Sequence, residues 1–308
     1  MKHIRWVGTK AEYDTLNIDN PRIVYVEDID EVIWNREVIN FPDPILKAGL
    51  VARYDTNNDG EIDTDEALRV TSFPQEMFKN TEVTSIEGLE YFKNVSVLPY
   101  EMFAMCRQIK VLRIKPALPV GYKSFPILSG LNTLIIEDGV TEIGYKEFER
   151  IGEYGFYEEL GWGENDPTSG VDTLIIPDSV TTIGDYAFDC WVSSTAYGPL
   201  ELRIGRGVSR IGQYTFAGFR MTEVTIPSNV TRIDANAFWA SKLRTVIMES
   251  SIPPSIQSDW SNIVNTVVND EEYDFRIFVP DAAVDVYKGA TNWIRSAAKI
   301  LPMSQYNG

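Results

Sequence analysis

The feature that most restricts how this chain can fold is a phrase that recurs along its second half. The template is LxxLxIPxxVxxIGxxAF, found in LNTLIIEDGVTEIGYKEF from residue 131, VDTLIIPDSVTTIGDYAFDC from 171, PLELRIGRGVSRIGQYTFAGF from 199, MTEVTIPSNVTRIDANAFWAS from 221 and, shortened, LRTVIMESSIPPSI from 243. Two columns share intervals of 40, 28 and 22 residues: Leu134, Leu174, Leu202 and Val224 (then Val246 after a further 22), and Phe148, Phe188, Phe216 and Phe238. Such repetition predicts a stack of similar structural units.

Each copy combines a short strand, such as TLIIP or EVTIP, with a return segment whose Val, Ile and Phe point inward. One coil cannot bury these side chains alone, so we expect coils stacked at roughly 4.8 Å with a continuous core and a cover at each end. We therefore predict an α/β repeat solenoid of short parallel strands, in which the repeated apolar residues are architecture rather than a site.

The repeats resemble the BspA-like leucine-rich repeat family over about residues 131 to 250, with a weaker form from TEVTSIEGLEYF through VLPYEMFAMCRQIKVLRIKP. The resemblance implies a right-handed coil and a non-enzymatic binding role. It also implies a closing segment, and the tail IFVPDAAVDVYKGATNWIRSAAKILPM is similar to one. In that tail we expect a last strand, Pro280 and an amphipathic helix carrying Val284, Tyr287 and Trp293.

The stretch DTNNDGEIDTDE matches every position of an EF-hand calcium loop. Such a loop needs six oxygen ligands, glycine at position 6 for a sharp turn and an apolar residue at position 8. Gly60 and Ile62 occupy those two positions, and helical spacing flanks the loop on both sides. The predicted ligands are Asp55, Asn57, Asp59, the carbonyl of Glu61, Asp63 and a bidentate Glu66.

A sensor normally pairs two such loops, and the sequence contains one. A single loop favours structural Ca²⁺, which clamps several mutually repelling carboxylates into one unit at the start of the repeats. A calcium-type loop leading into such repeats is also familiar in the family that the chain resembles.

Function is expected where the chain departs from its repeat. Against a period of 22, 18 extra residues follow Phe148 and 6 follow Phe188, so the two insertions should emerge side by side on one edge. Exposed aromatic residues there suit sugar rings or protein partners, while packing against each other is the alternative. The candidate partner-binding residues are Tyr154, Phe156, Tyr157, Trp162, Trp191 and Tyr197.

Composition argues against several classes of function. With 45 Asp and Glu against 28 Lys and Arg, the net charge of -17 repels nucleic acids and anionic lipids. No apolar run approaches the roughly 20 residues that span a bilayer, so no membrane insertion is expected. The single histidine, His3, cannot complete a catalytic triad, and paired-carboxylate catalysis has no motif in its favour. Cys106 and Cys190 are expected to be buried repeat residues.

The N-terminal segment HIRWVGTKAEYDTLNIDNPRIVYVEDIDEVIWN predicts a strand, a short helix at TKAEYDTL and two strands turned by Asp28 to Asp30. Its pattern is similar to small modules of bacteriophage tail and baseplate proteins. The predicted domains are a strand and helix module at 1–40, the calcium loop and N-terminal cap at 41–72, the repeats at 73–256 and a C-terminal cap at 257–308.

Two hypotheses of function follow, neither of them enzymatic. The family resemblance favours a secreted or cell-surface adhesin that binds host protein or glycan. The N-terminal pattern, and a start MKHIRWVGTK without the features of a secretory signal, favour a phage or prophage tail-associated receptor-binding protein. Both place the contact on the inserted loops.

Overall fold

The computed structural model describes residues 37–128, 130–149, 151, 171–190, 199–258 and 274–307, together with the backbone of four strands outside those ranges. Two of these four strands, β1 (Ile23–Val26) and β2 (Glu31–Trp34), pair antiparallel, which confirms the predicted N-terminal hairpin. The helix predicted at TKAEYDTL lies outside the described residues. Among the described helices, none has both the length and the apolar character needed to cross a membrane.

Two α-helices follow, α1 (Pro44–Tyr54) and α2 (Thr64–Arg69), on either side of the acidic loop. Asp43 caps α1 and Pro44 occupies its first turn, where a missing N–H costs nothing. At α2, Asp63 and Glu66 form a reciprocal capping box. A 3₁₀ turn, Leu89–Tyr91, then leads towards the first strand of the repeats.

The strand segments of the repeats form one row of parallel pairs, as the column spacing predicts. Leu134 is level with Leu174, Leu174 with Leu202, and Val224 with Val246. The row contains β3 (Val111–Ile114), β4 (Thr133–Ile136), β6 (Thr173–Ile175), β10 (Glu201–Arg203), β12 (Glu223–Ile226), β14 (Thr245–Met248), β16 (Arg276–Val279) and β17 (Ile300–Pro302).

A second row of two-residue strands is formed by the VxxI part of each copy, and its buried isoleucines face the core. It contains β5 (Glu142–Ile143), β7 (Thr182–Ile183), β11 (Arg210–Ile211), β13 (Arg232–Ile233) and β15 (Ser255–Ile256). The backbone of a small antiparallel hairpin, β8 (Trp191–Val192) with β9 (Thr195–Ala196), lies within the second insertion.

A buried ladder of phenylalanines runs through the core next to a row of turns. Each of its seven residues is at most 2% exposed, and five of the six neighbouring ring pairs have centroids 5.3 to 6.0 Å apart at interplanar angles of 8 to 26°. Amide hydrogen bonds join turn to turn beside the rings, for example from Phe216 N–H to the Ala237 carbonyl at 2.8 Å. The phenylalanine ladder comprises Phe78, Phe103, Phe125, Phe148, Phe188, Phe216 and Phe238.

Both strand rows are interrupted at the coil of residues 199–220. Strand β10 pairs with β6 but not with β12, and β11 pairs with β13 but not with β7. Where β10 and β12 separate, a surface cavity of about 450 Å³ opens between them, lined by charged side chains such as Glu201 and Arg203. Arg210 bridges the second interruption, because its guanidinium contacts both Asp185 and Asp234, one from each neighbouring coil.

The C-terminal cap closes the stack with the residues predicted for it, although its helix is shorter. Helix α3 (Val284–Gly289) buries Tyr287, whereas Trp293 lies beyond its end and packs edge-on against Tyr287 at 4.8 Å. Three 3₁₀ turns, Asp281–Ala283, Ile294–Lys299 and Met303–Gln305, complete the cap, and β17 adds a strand that the sequence pattern did not predict. Cys106 and Cys190 are both buried, and no disulfide joins them.

Candidate metal and partner-binding sites

The acidic loop Asp55 to Glu66 joins α1 to α2 in the predicted helix, loop, helix order. Asn58 and Gly60 both have left-handed φ angles, of 61° and 83°, which produce the sharp turn in its middle. Ile62 at the eighth position is fully buried, and its carbonyl accepts the N–H of Ile39 at 2.9 Å. The chain before α1 therefore supplies the strand contact that a second loop supplies in a paired arrangement.

The loop side chains mostly accept hydrogen bonds from loop amides. The Asp55 carboxylate accepts the N–H groups of Asn58 at 2.6 Å and Gly60 at 2.9 Å. The side chains of Asn57 and Asp59 accept amides two residues further on, at 2.9 and 3.0 Å. These bonds tie the side-chain oxygens to amides within the turn of the loop.

Glu66 is the most buried acid of the loop, only 1% exposed. One of its oxygens accepts the Thr56 N–H at 2.8 Å, the Thr56 hydroxyl at 2.9 Å and the Asn57 amide group at 3.1 Å. The other accepts the Asp63 N–H at 3.2 Å. These donors are neutral, and a buried carboxylate is more stable when a cation also offsets its charge.

The donor set fits calcium, which takes oxygen ligands from carboxylates, amides and backbone carbonyls. All six predicted ligand residues are described and lie in the one loop. Within the described part of the chain, however, no three His, Cys, Asp or Glu side chains stand close enough together to hold a metal ion. The chemistry of the predicted ligand residues and their order in the loop fit calcium. Their carboxylates, however, accept hydrogen bonds from amides and do not converge on a shared centre.

Asp43 ties the helix before the loop to the first repeat. One of its oxygens accepts the Leu46 N–H at 2.7 Å, and the other accepts both the N–H and the hydroxyl of Thr84 at 2.7 Å. The side chain is 1% exposed; its desolvation raises the pKa, but the hydrogen bonds from Leu46 and Thr84 outweigh this and leave the pKa below its ordinary value. Movement of α1 is thereby coupled to movement of the first coil.

Replacing Asp43 by alanine should lower the free energy of unfolding by about 2 to 4 kcal/mol, because it removes a helix cap and leaves buried donors without an acceptor. Because the folded pKa is lowered, this contribution is complete above the ordinary pKa of 3.8 and disappears as the pH falls towards the lowered value. Urea unfolding from pH 7 down to pH 3 measures the difference. The exposed Asp285→Ala variant should change stability by less than about 0.5 kcal/mol, and equal effects at the two positions would contradict the assignment.

The predicted partner-binding aromatics Tyr154, Phe156, Tyr157, Trp162 and Tyr197 lie outside the described residues, and only the backbone of Trp191, in β8, is described. The points from which the insertions start are described. Ile151 and Cys190 are neighbours there, since the Cys190 thiol lies 3.8 Å from the Ile151 carbonyl. The starting points of the two insertions are therefore neighbours. Beyond these points only the backbone of β8 and β9 is described, so the emergence of the two insertions side by side stays a prediction.

Sequence reasoning missed an exposed aromatic column on the row of turns. Its rings contact one another from coil to coil, with five successive centroid distances between 4.8 and 6.2 Å. The tyrosines stand three residues before the ladder phenylalanine in three coils and two residues before it in the next two, and this shift conceals the column in the sequence. We call it the tyrosine column: Tyr100, Tyr122, Tyr145, Tyr186, Tyr214 and Trp239.

A smaller cavity of about 260 Å³ beside β5 contains the most perturbed carboxyl group of the repeats. Burial raises the pKa of Glu147 to about 7 and nearby Glu142 adds to the rise, although the Gly144 N–H opposes it. Such a group exchanges protons near neutral pH, yet the other lining side chains, among them Lys115 and Thr141, do not complete a catalytic arrangement. The cavity gives no positive sign of an enzyme.

Stacked coils with a row of short parallel strands define a leucine-rich repeat protein. The profile of the family described as BspA type Leucine rich repeat region matches in six copies, at residues 36–157 and 200–263. Because these copies cover more than half of the chain, it belongs to the BspA-type leucine-rich repeat family.

Two solved structures match parts of this chain. One is a leucine rich cell surface protein from Faecalibacterium prausnitzii A2-165, with 14% identity over 56% of this chain and 61% of that one and a TM-score of 0.29. The other is a leucine-rich repeat protein from Bacteroides ovatus ATCC 8483, with 14% identity over 60% and 59% and a TM-score of 0.22. The chain thus spans about three fifths of the length of either protein. No curated protein matches it.

Proposed function

We propose that this chain is a non-enzymatic binding protein at a bacterial cell surface or outside the cell, where it adheres to host protein or glycan. The observation that carries the proposal is the adjacency of the two insertion points, at Ile151 and Cys190, a few residues after Tyr145 and Tyr186 of the tyrosine column. These turns form the proposed binding edge. Membership of the BspA-type family and the phenylalanine core support a scaffold that presents this edge.

Structural calcium is the second part of the proposal. The ion would be held by Asp55, Asn57, Asp59, Asp63, Glu66 and the carbonyl of Glu61. The burial of Glu66 and the contact between Ile62 and Ile39 support a role in fixing the N-terminal end rather than in signalling. Outside cells, where calcium is near millimolar, such a site is occupied without tight binding.

Combining Trp162→Ala with Trp191→Ala should reduce partner binding at least tenfold and leave the melting temperature nearly unchanged, because exposed aromatic anchors contribute to binding rather than to folding. Biolayer interferometry against purified extracellular-matrix proteins and a glycan array measures the binding. The Ile252→Ala variant removes an apolar side chain that is 78% exposed and lies outside the insertions, so it should bind normally.

Two results would contradict the proposal. If the unmodified protein binds no protein or glycan of the panel, adhesion is wrong. A large fall in melting temperature for the double tryptophan variant would show that the two loops form a local core instead of a contact surface.

A further inference from the structure

The tyrosine column lies outside the buried core, with three of its rings exposed and Tyr186, Tyr214 and Trp239 half-buried. Tyr100, Tyr122 and Tyr145 are 39%, 47% and 55% exposed, whereas the phenylalanine ladder beneath them is buried and already fills the core. In the turns, the residue two places before each ladder phenylalanine has a left-handed φ of 49 to 61°. Asn236 is suited to that conformation, but Tyr186 and Tyr214 are not, so the backbone does not select tyrosine there.

Ring orientation decides which part of the column a partner can touch. The pairs Tyr100–Tyr122, Tyr122–Tyr145 and Tyr186–Tyr214 are stacked at interplanar angles of 18°, 8° and 13°, so their faces partly cover one another. Because these faces are partly covered, a partner reaches the rings mainly at their edges and hydroxyl groups, and the Tyr100 hydroxyl already forms a hydrogen bond with Glu101. Tyr145 and Tyr186 instead meet at 75°, and the Lys146 ammonium lies over both rings, 5.5 and 4.9 Å from their centroids. The column therefore offers both hydrogen-bonding and carbon–hydrogen surface at a regular interval.

The charged side chains beside the tyrosine column form ion pairs with one another. Lys79 pairs with Glu76 and Glu101 at 2.9 and 2.6 Å, while Lys123 and Lys146 both pair with Glu149 at 2.8 and 3.0 Å. Further along, Arg210 pairs with Asp185 at 2.8 Å. With Asp234, the second partner of Arg210, five acidic side chains thus face these four basic ones along this edge of a protein whose net charge is -17. A strongly charged partner gains nothing here, since complementary charge is already supplied.

We propose that the tyrosine column binds a linear, uncharged polysaccharide laid along the stack. Such a chain repeats the same hydroxyl and carbon–hydrogen groups along its length, as the column repeats phenol oxygens and ring edges from coil to coil. Tyrosine suits this task because its ring is rigid and amphipathic and loses little conformational entropy on binding. The inference rests on the proposed binding function and names a partner class for the same edge.

Affinity electrophoresis in gels containing mixed-linkage β-glucan, α-mannan or dextran tests it, with polygalacturonate as the charged counterpart. We expect at least one neutral polymer to retard the protein, and polygalacturonate to leave it unaffected. Combining Tyr122→Ala with Tyr145→Ala should raise the apparent Kd at least tenfold. Val111→Ser with Ile175→Ser removes side chains of similar exposure, 45% and 48%, from the strand row of the repeats and should bind as the unmodified protein does.

The corresponding double Tyr→Phe variant keeps the stacked rings and removes the hydroxyl groups, so it tests the column even if the alanine variant folds poorly. It should bind about three- to tenfold more weakly. Unchanged binding by both double variants, equal retardation by polygalacturonate, or no retardation by any neutral polymer would overturn the inference. Binding to a matrix protein without any polysaccharide binding would leave the proposed function intact and this inference wrong.

Discussion

Replacing Phe216 by alanine is expected to lower the free energy of unfolding by about 3 to 5 kcal/mol, the range for removing a fully buried phenylalanine. Phe216 is 0% exposed and contacts Phe188, Phe219 and Phe238 at centroid distances of 6.0, 5.4 and 5.6 Å. A cavity at this position removes contacts with both adjacent coils at once.

The variant should also lose cooperativity, because Phe216 lies in the coil where both strand rows are interrupted. The phenylalanine ladder, the amide bonds between turns and the contacts of Arg210 connect the neighbouring coils across these interruptions, together with the pairing of β10 with β6 and of β11 with β13. In a repeat protein, stability is a sum of units and the interfaces between neighbours, so a weakened interface lets the halves unfold separately. Urea unfolding followed by circular dichroism and by tryptophan fluorescence should give midpoints that no longer coincide.

Phe238→Ala is the matched control for this effect. Phe238 is equally buried, but β12 and β14 pair fully in its coil and the next. A similar energetic loss with a single transition is expected for it, and Ile294→Ala, at a side chain 62% exposed, should change stability by less than about 0.5 kcal/mol. A loss below about 1 kcal/mol for Phe216→Ala, or identical broadening in both phenylalanine variants, would contradict this account.

The spacing of the repeated leucine, valine and phenylalanine positions was sufficient to predict which of these residues are buried and which strand positions lie side by side. It was not sufficient to predict the interruption, because Leu202 and Val224 are separated by the same 22 residues as Val224 and Val246. Pairing depends on where the chain enters the strand. The amides of Arg220 and Met221 both donate to the Pro199 carbonyl. These two donors stand two residues further from the strand that follows them than the equivalent donors of the next coil do from theirs.

The candidate sites were predictable to different degrees. A loop motif is local, so its ligand residues could be named from one stretch of sequence, but the contact of Ile62 with Ile39 joins residues far apart in the chain. The tyrosine column depends on contacts between coils, and its two registers relative to the ladder do not form one sequence column. Neighbouring coils bring these tyrosines together, and that contact exists only in the folded stack.

Removing calcium should produce the second large effect, a fall in melting temperature by several degrees on adding a chelator. If the site has a dissociation constant of about 10 μM, millimolar calcium stabilises the folded state by roughly 2.7 kcal/mol through mass action. The loop fixes α1, whose Leu46 and Leu50 are fully buried, and Gly49 of α1 packs against Phe78, the first ring of the ladder. Losing the ion should therefore loosen the cover of the first coil as well as the loop.

Glu66→Gln and Asp55→Asn keep the size of each side chain and remove a charged ligand, so both should abolish the response to calcium. Asp65→Asn, next to Glu66 but at a non-ligand position, should keep it. Magnesium should stabilise less, because it demands a smaller octahedral site. Hydrogen exchange in the presence of chelator should increase first in α1 and the first coil, near Phe78 and Thr84, which α1 contacts through Gly49 and Asp43. Equal melting with and without chelator would rule out the clamp, and a response retained in Glu66→Gln would place the ion elsewhere.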